Sequence, residues 1–160
     1  MSEPFALPGE ARTKLELWRA ASASVVFTNG VFDLLHRGHV EYLEDARALG
    51  DRLVIGLNTD ASVRRLKGPS RPIVGEQDRA AVVRALACVD LVVLFDDDTP
   101  LRLIEAVRPN VLVKGGDYSL DTIVGREFVE AHGGRVTTIA LREGMSSSEI
   151  VRRIREGKGA

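Results

Sequence analysis

Val25-Val26-Phe27-Thr28-Asn29-Gly30-Val31-Phe32-Asp33-Leu34-Leu35-His36-Arg37-Gly38-His39 reads as an apolar strand, a polar turn and the opening of a helix. Two of the chain's three histidines sit here, three residues apart, with Gly38 between them. Residues at i and i+3 share one face of a helical turn, so both imidazoles can meet one ligand. A helix start adds free backbone N–H groups and partial positive charge, which favour phosphate. Gly38 carries no side chain to keep a phosphate from the backbone. The combination suits a nucleoside triphosphate whose phosphate chain runs between two imidazoles.

Working outward, short β-rich runs alternate with helical patterns. Strands are predicted at Val25–Thr28, Arg52–Leu57, Leu91–Phe95, Val111–Lys114 and Val136–Leu141. Helices are predicted at His39–Leu49, Glu76–Cys88, Pro100–Val107, Val124–Ala131 and Ser147–Glu156. Runs such as Leu53-Val54-Ile55-Gly56-Leu57 are apolar on both faces, as strands of a parallel sheet sandwiched by helices require. The expectation is an α/β fold, a Rossmann-like, doubly wound, parallel five-stranded sheet with helices on both faces. Ligands of such sheets bind beyond the carboxyl ends of the strands, where strand order reverses. Lys67-Gly68-Pro69-Ser70-Arg71-Pro72 reads as a surface loop. Residues 1–23 are expected to form a partly helical N-terminal segment, poorly ordered over 1–9 and amphipathic over Ala11–Ala21. The functional domain is expected over 24–160.

Composition narrows the partners. With 160 residues, 44% apolar and 28% charged, the chain is an ordinary globular protein with room for a real core. A net charge of −1 gives no general attraction to nucleic acid or anionic membrane, so an anion site must be a local cluster. The single cysteine, Cys88, excludes an intrachain disulfide and reads as a packed residue. No signal-peptide pattern or membrane-length apolar run is present, which leads to the expectation of a cytoplasmic protein without membrane or nucleic-acid partners. No spacing suggests a structural zinc site, and no metal-ligand set is expected.

Near the C-terminus stands Arg142-Glu143-Gly144-Met145-Ser146-Ser147-Ser148-Glu149-Ile150. Together with Thr28–His39 it resembles the paired motifs of the nucleotidyltransferase superfamily that includes the cytidylyltransferases. The resemblance spans roughly residues 24–155. Within that superfamily the chain is most similar to the D-glycero-β-D-manno-heptose 1-phosphate adenylyltransferases, through Asn58-Thr59-Asp60-Ala61-Ser62, Arg65-Leu66-Lys67-Gly68, Ser70-Arg71-Pro72 and Leu112-Val113-Lys114-Gly115-Gly116-Asp117-Tyr118. That family makes ADP-heptose, a precursor of lipopolysaccharide core, often with the domain fused behind a sugar kinase; this chain would be the stand-alone form. The implied partners are ATP, a sugar phosphate and Mg²⁺ carried largely by phosphates and water. The family's dimers or larger assemblies imply a homo-oligomer.

By this resemblance His36 and His39 contact the phosphates and stabilise the transition state, and Lys67 meets phosphate in a mobile loop. Arg79 matches a middle-helix arginine that binds the acceptor's phosphate, with Arg71 beside Lys67 as a second cation. The residues themselves allow further roles. Thr28 and Asn29 can reach phosphate or ribose, or cap the turn; Gly30 permits close approach, or is a turn glycine. Phe32 is half core and half pocket wall. Asp33 can bond the sugar or a loop N–H. Lys114, Gly115 and Asp117 can meet a base or ribose, although Gly115-Gly116 also suits a plain turn. Arg142 offers a bidentate phosphate clamp. Ser146 and Ser147 open the last helix, as cap and as phosphate donors, with Met145 beside them where the family often has a β-branched residue. Two rivals stay open: a cytidylyltransferase acting on glycerol 3-phosphate or a similar alcohol phosphate, and a non-catalytic ATP-binding domain.

Overall fold

The computed structural model describes residues 3–116 and 118–159. Five parallel strands, β1 (Val25–Gly30), β2 (Arg52–Asn58), β3 (Leu91–Phe95), β4 (Val111–Gly115) and β5 (Arg135–Ile139), form one sheet in the order β3-β2-β1-β4-β5. The chain winds outward from β1 through β2 to β3. It then crosses to β4 and β5 on the other side, so strand order reverses between β1 and β4.

Side chains alternate across each strand, and both faces are apolar because helices cover both. Val25, Phe27 and Val54 point into one core with Leu103, Ile104 and Val107 of α5 (Leu101–Val107) and Val129 of α6 (Arg126–Ala131). Val26, Leu53, Ile55 and Leu57 point into the other with Leu43 and Ala46 of α2 (Arg37–Arg47) and Ala80 and Val83 of α4 (Glu76–Arg84). The N-terminal helix α1 (Gly9–Ala20) buries Ala11 and Leu15 in the first core, and Arg19 caps the end of α5 through the Val107 carbonyl at 2.8 Å.

Several expectations change, and α4 ends at Arg84 rather than running to Cys88. Phe5 and Leu7 pack partly buried against the first core, and Arg102 donates to the Glu3 carbonyl at 2.7 Å, so residues 3–9 are tied down rather than poorly ordered. Residues 1–2 lie outside the described residues. A helix absent from the sequence reading, α3 (Asp60–Lys67), fills the span between β2 and the loop. Thr59 caps it by accepting from the Ser62 N–H at 3.2 Å, and Gly68 at φ +93° ends it. Finally, α6 starts at Arg126 instead of Val124, because Gly125 at φ +89° cannot continue a helix backward. The last helix, α7 (Ser147–Arg155), buries none of its residues fully. Among the described residues, no helix is long and apolar enough to cross a membrane.

Candidate active site

β1 ends at the point where strand order reverses, and the turn that follows is forced. Phe32 adopts φ +48°, a left-handed conformation that costs an aromatic residue about 1–3 kcal/mol. Its buried ring then lies edge-on to His39, with centroids 5.2 Å apart. His36 stays extended as the residue before α2, and the two imidazoles stack at 3.8 Å. Gly38 has a sharper role than open approach to phosphate. A Cβ there would come within 3.0 Å of the His36 ring, so glycine makes room for the stack.

The His36 N–H lies 3.4 Å from Nδ1 of His39, a long contact in which Nδ1 can only accept. The ring proton of His39 is thereby assigned to Nε2, leaving Nε2–H as a donor. Burial, then the neighbouring His36 and Lys67, push the His39 pKa down to about 4. Burial also lowers that of His36, whose Nδ1 is buried without a partner among the described residues. At neutral pH both rings are therefore neutral.

These rings line a cleft of about 200 Å³ with Gly38, Lys67, Leu141, Arg142, Met145 and the three serines. Two helix N-termini, of α2 and α7, open beside it. Ser146 caps α7 by accepting from the Glu149 N–H at 3.1 Å, and Ser147 donates to the Leu34 carbonyl at 3.0 Å. Among the described residues the Ser148 hydroxyl makes no side-chain hydrogen bond, so of the three serines it is this one, rather than the expected Ser146 and Ser147, that is uncommitted. A larger groove of about 750 Å³ lies between α5 and α6, but Glu105, Asp121, Glu127 and Glu130 line it, a poor match for polyphosphate.

Arg142 is held by a residue that no motif singled out. Its Nη1 donates to both carboxylate oxygens of Glu41, at 2.8 and 3.0 Å, and Arg37 also pairs with Glu41. Those hydrogen bonds, from Arg142 first, hold the Glu41 carboxyl below its ordinary range. A polyphosphate must compete with Glu41 for Arg142. The pair is exposed and contributes little by itself, so Glu41→Gln is expected to tighten ATP binding by only about two- to five-fold. Isothermal titration checks this; weaker binding would show that Glu41 presents Arg142 rather than restrains it.

Other candidates lie apart from the cleft or are already engaged. The Thr28 hydroxyl is buried 2.7 Å from the Tyr42 hydroxyl and does not line the cleft. Burial raises the Tyr42 pKa to about 12, so Tyr42 stays a neutral partner. Asn29 accepts from Nζ of Lys114 at 3.0 Å, bridging the ends of β1 and β4. Burial lowers the Lys114 pKa. At Gly30 the space of a side chain is taken by the Phe32 ring, and at Gly115 by Leu141 and Tyr42. Asp117 lies outside the described residues. Asp33 faces the loop, not the cleft: it accepts from Arg71 Nε at 2.6 Å and from the N–H groups of Ile73 and Val74 at 2.9 Å. Burial works against its charge, but the Val74, Ile73 and Arg71 hydrogen bonds prevail and lower its pKa.

Arg79 is also committed to the protein. Its buried guanidinium donates to the carbonyls of Val74 (2.9 Å), Val31 (2.7 Å) and Asn58 (2.9 Å) and to Asp60 (2.8 Å). It fastens the ends of β1 and β2 to the loop that follows α3. The acceptor-binding role that resemblance implied has no exposed guanidinium edge here.

Comparison with known proteins follows the same line. Residues 27–153 match the family described as cytidylyltransferase-like. The chain is 59% identical over 143 residues to the bifunctional protein HldE of Syntrophotalea carbinolica, covering 89% of this chain and 29% of the relative. With the bifunctional protein HldE of Magnetococcus marinus it is 58% identical over 153 residues, covering 96% and 31%. The chain thus spans about three-tenths of the length of these curated relatives. Among solved structures, the lipopolysaccharide core biosynthesis protein of Thermoplasma volcanium superposes with a TM-score of 0.62 at 30% identity, over 75% of this chain and 97% of the other.

Proposed function

The chain belongs to the cytidylyltransferase-like family, and on that premise we propose that it transfers AMP from ATP to D-glycero-β-D-manno-heptose 1-phosphate, releasing pyrophosphate. The observation that carries the reading is the stacked His36/His39 pair facing a cleft edged by Lys67, Arg142 and Ser148. An oxygen of the acceptor's phosphate bonds to the α-phosphorus of ATP, and the bond from that phosphorus to the bridging oxygen breaks. Pyrophosphate leaves with the electron pair. The nucleophile is already an anion at neutral pH, so catalysis rests on positioning and on stabilising charge. His39 Nε2–H donates to the reacting phosphates, Lys67 and Arg142 neutralise them, and the α7 N-terminus receives the leaving group. With imidazoles, cations and hydroxyls lining the cleft, Mg²⁺ accompanying ATP would be held by phosphate oxygens and water and would supply further neutralisation of phosphate charge. Adenine and heptose rest on similarity to the relatives. The reading assigns the protein to the cytoplasm, where ATP is available.

Pyrophosphate release with Mg²⁺ tests this. ATP and CTP are each offered with the heptose 1-phosphate or with glycerol 3-phosphate. Turnover is expected with ATP and the heptose phosphate alone. Turnover with CTP and glycerol 3-phosphate would keep the chemistry and replace the substrates. ATP binding without turnover on any acceptor would favour a non-catalytic nucleotide-binding domain.

The imidazoles also make binding pH-dependent. Arriving phosphate charge opposes the burial that depresses His39, so ATP binding takes up protons at pH values above about 4. Titration at pH 6 in buffers of different ionisation enthalpy should show this uptake; none would mean that phosphate stays away from His39. Stability follows the same group. An unfolded histidine protonates near its ordinary 6.5 and folded His39 only near 4, so the folded state loses stability as pH falls through that window. His39→Gln is expected to flatten the slope of thermal midpoint against pH between those values.

A further inference from the structure

With Arg79 occupied, the acceptor's phosphate needs another seat, and the loop after α3 offers one. The Arg71 guanidinium is fixed by its 2.6 Å bond to Asp33, whose side chain is only 1% exposed. Its Nη2 is buried and has no partner among the described residues. Beside it a second cleft of about 360 Å³ is lined by Ser70, Arg71, Ser148, Val151, Arg152, Arg155 and Glu156. This cleft and the histidine cleft share Ser148.

Not every cation here is available. Arg152 is spent on Glu149 and Glu156, and Glu156 also accepts from Lys158. Arg155 forms no ion pair among the described residues, and the hydroxyls of Ser70 and Ser148 make no side-chain hydrogen bond there. A part-exposed guanidinium held by its Nε, with a buried Nη2 that has no partner among the described residues, a second cation and two hydroxyls form a donor set for a dianionic oxyacid. We propose that this cleft seats the phosphate monoester of the acceptor, with Arg71 and Arg155 as its clamp.

The inference rests on the transfer reaction given above. It places the nucleophilic phosphate on the far side of Ser148 from the imidazoles. There one of its oxygens can bond to the α-phosphorus while pyrophosphate departs toward the histidine cleft, with no proton to move. Asp33 acts through Arg71 as a positioning residue.

Arg155→Gln is the clean test, because the side chain is exposed and forms no ion pair among the described residues. Loss of one charged hydrogen-bond partner should raise the acceptor KM by about ten-fold or more, with the ATP KM within about two-fold. Arg155→Lys should recover part of the loss. An unchanged acceptor KM, or a rise confined to the ATP KM, overturns the proposal. Should the wild-type protein transfer nothing, the proposed function falls and this site is still decided by binding. With α,β-methylene-ATP saturating the first cleft, inorganic phosphate should bind the wild type and bind Arg155→Gln about ten-fold more weakly. Equal affinities would overturn the site.

Discussion

His39→Ala is expected to lower turnover by about 10²–10³-fold, the usual cost of one fixed donor to developing phosphate charge. ATP affinity should fall by about ten-fold at most, the worth of one neutral hydrogen bond. The asymmetry comes from geometry. The ring is held on three sides: Phe32 edge-on, His36 stacked, and the His36 N–H facing Nδ1. Its Nε2–H needs no reorganisation when charge builds on the reacting phosphates, and a neutral donor gains most where charge grows. Pyrophosphate release at saturating ATP and acceptor, beside calorimetric ATP titration, separates the two effects. Equal losses in turnover and affinity would reduce His39 to a binding contact. Unchanged turnover would remove it from the mechanism.

Arg79→Met is expected to destabilise the fold by about 3–5 kcal/mol, the cost of removing a buried cation from a half-buried ion pair and from three carbonyls at once. The variant leaves Asp60 without its cation and the carbonyls of Val31, Asn58 and Val74 without donors. For a chain of this size the thermal midpoint should drop by about 10 °C. Urea unfolding gives the free energy, and kinetics at low temperature give the rest. An acceptor contact would behave oppositely, with stability almost unmoved and acceptor KM raised. That pattern would return Arg79 to the substrate. The outcome anticipated here separates the residue from Arg155, whose loss should be felt in acceptor KM and not in stability.

Legibility followed periodicity. The inner strands were clear because each is short, β-rich and largely apolar on both faces, as Leu53–Leu57 shows, whereas edge strand β5 carries Thr137 and Thr138 and buries no residue fully. Their observed ends differ from the expected ones by up to two residues, at β1, which runs on to Gly30, and at β5, where the chain leaves the sheet after Ile139. Helix α3 was illegible by pattern: only Ser62 and Val63 are buried and Leu66 is exposed, so it has almost no apolar stripe. Its cap Thr59 and terminal Gly68 were the available signals. In the site, the histidine pair was readable because three-residue spacing fixes proximity on a helix. The restraint of Arg142 by Glu41 was not, since the partners are 101 residues apart and meet only through the fold. The order among Ser146, Ser147 and Ser148 depends on the phase at which α7 begins, which three identical residues cannot reveal.

The sequence alone determined five strands and a close pair of imidazoles following the first of them, because local spacing and apolar periodicity fix both; the fold decided that strand order reverses between β1 and β4, beside that pair. The tertiary structure decided which cations are free. Arg79 and Arg71 look alike along the chain, yet one is saturated by carbonyls and a carboxylate while the other keeps an Nη2 without a partner among the described residues. A guanidinium's availability depends on acceptors brought near it from distant segments, and only the packed fold supplies or withholds them.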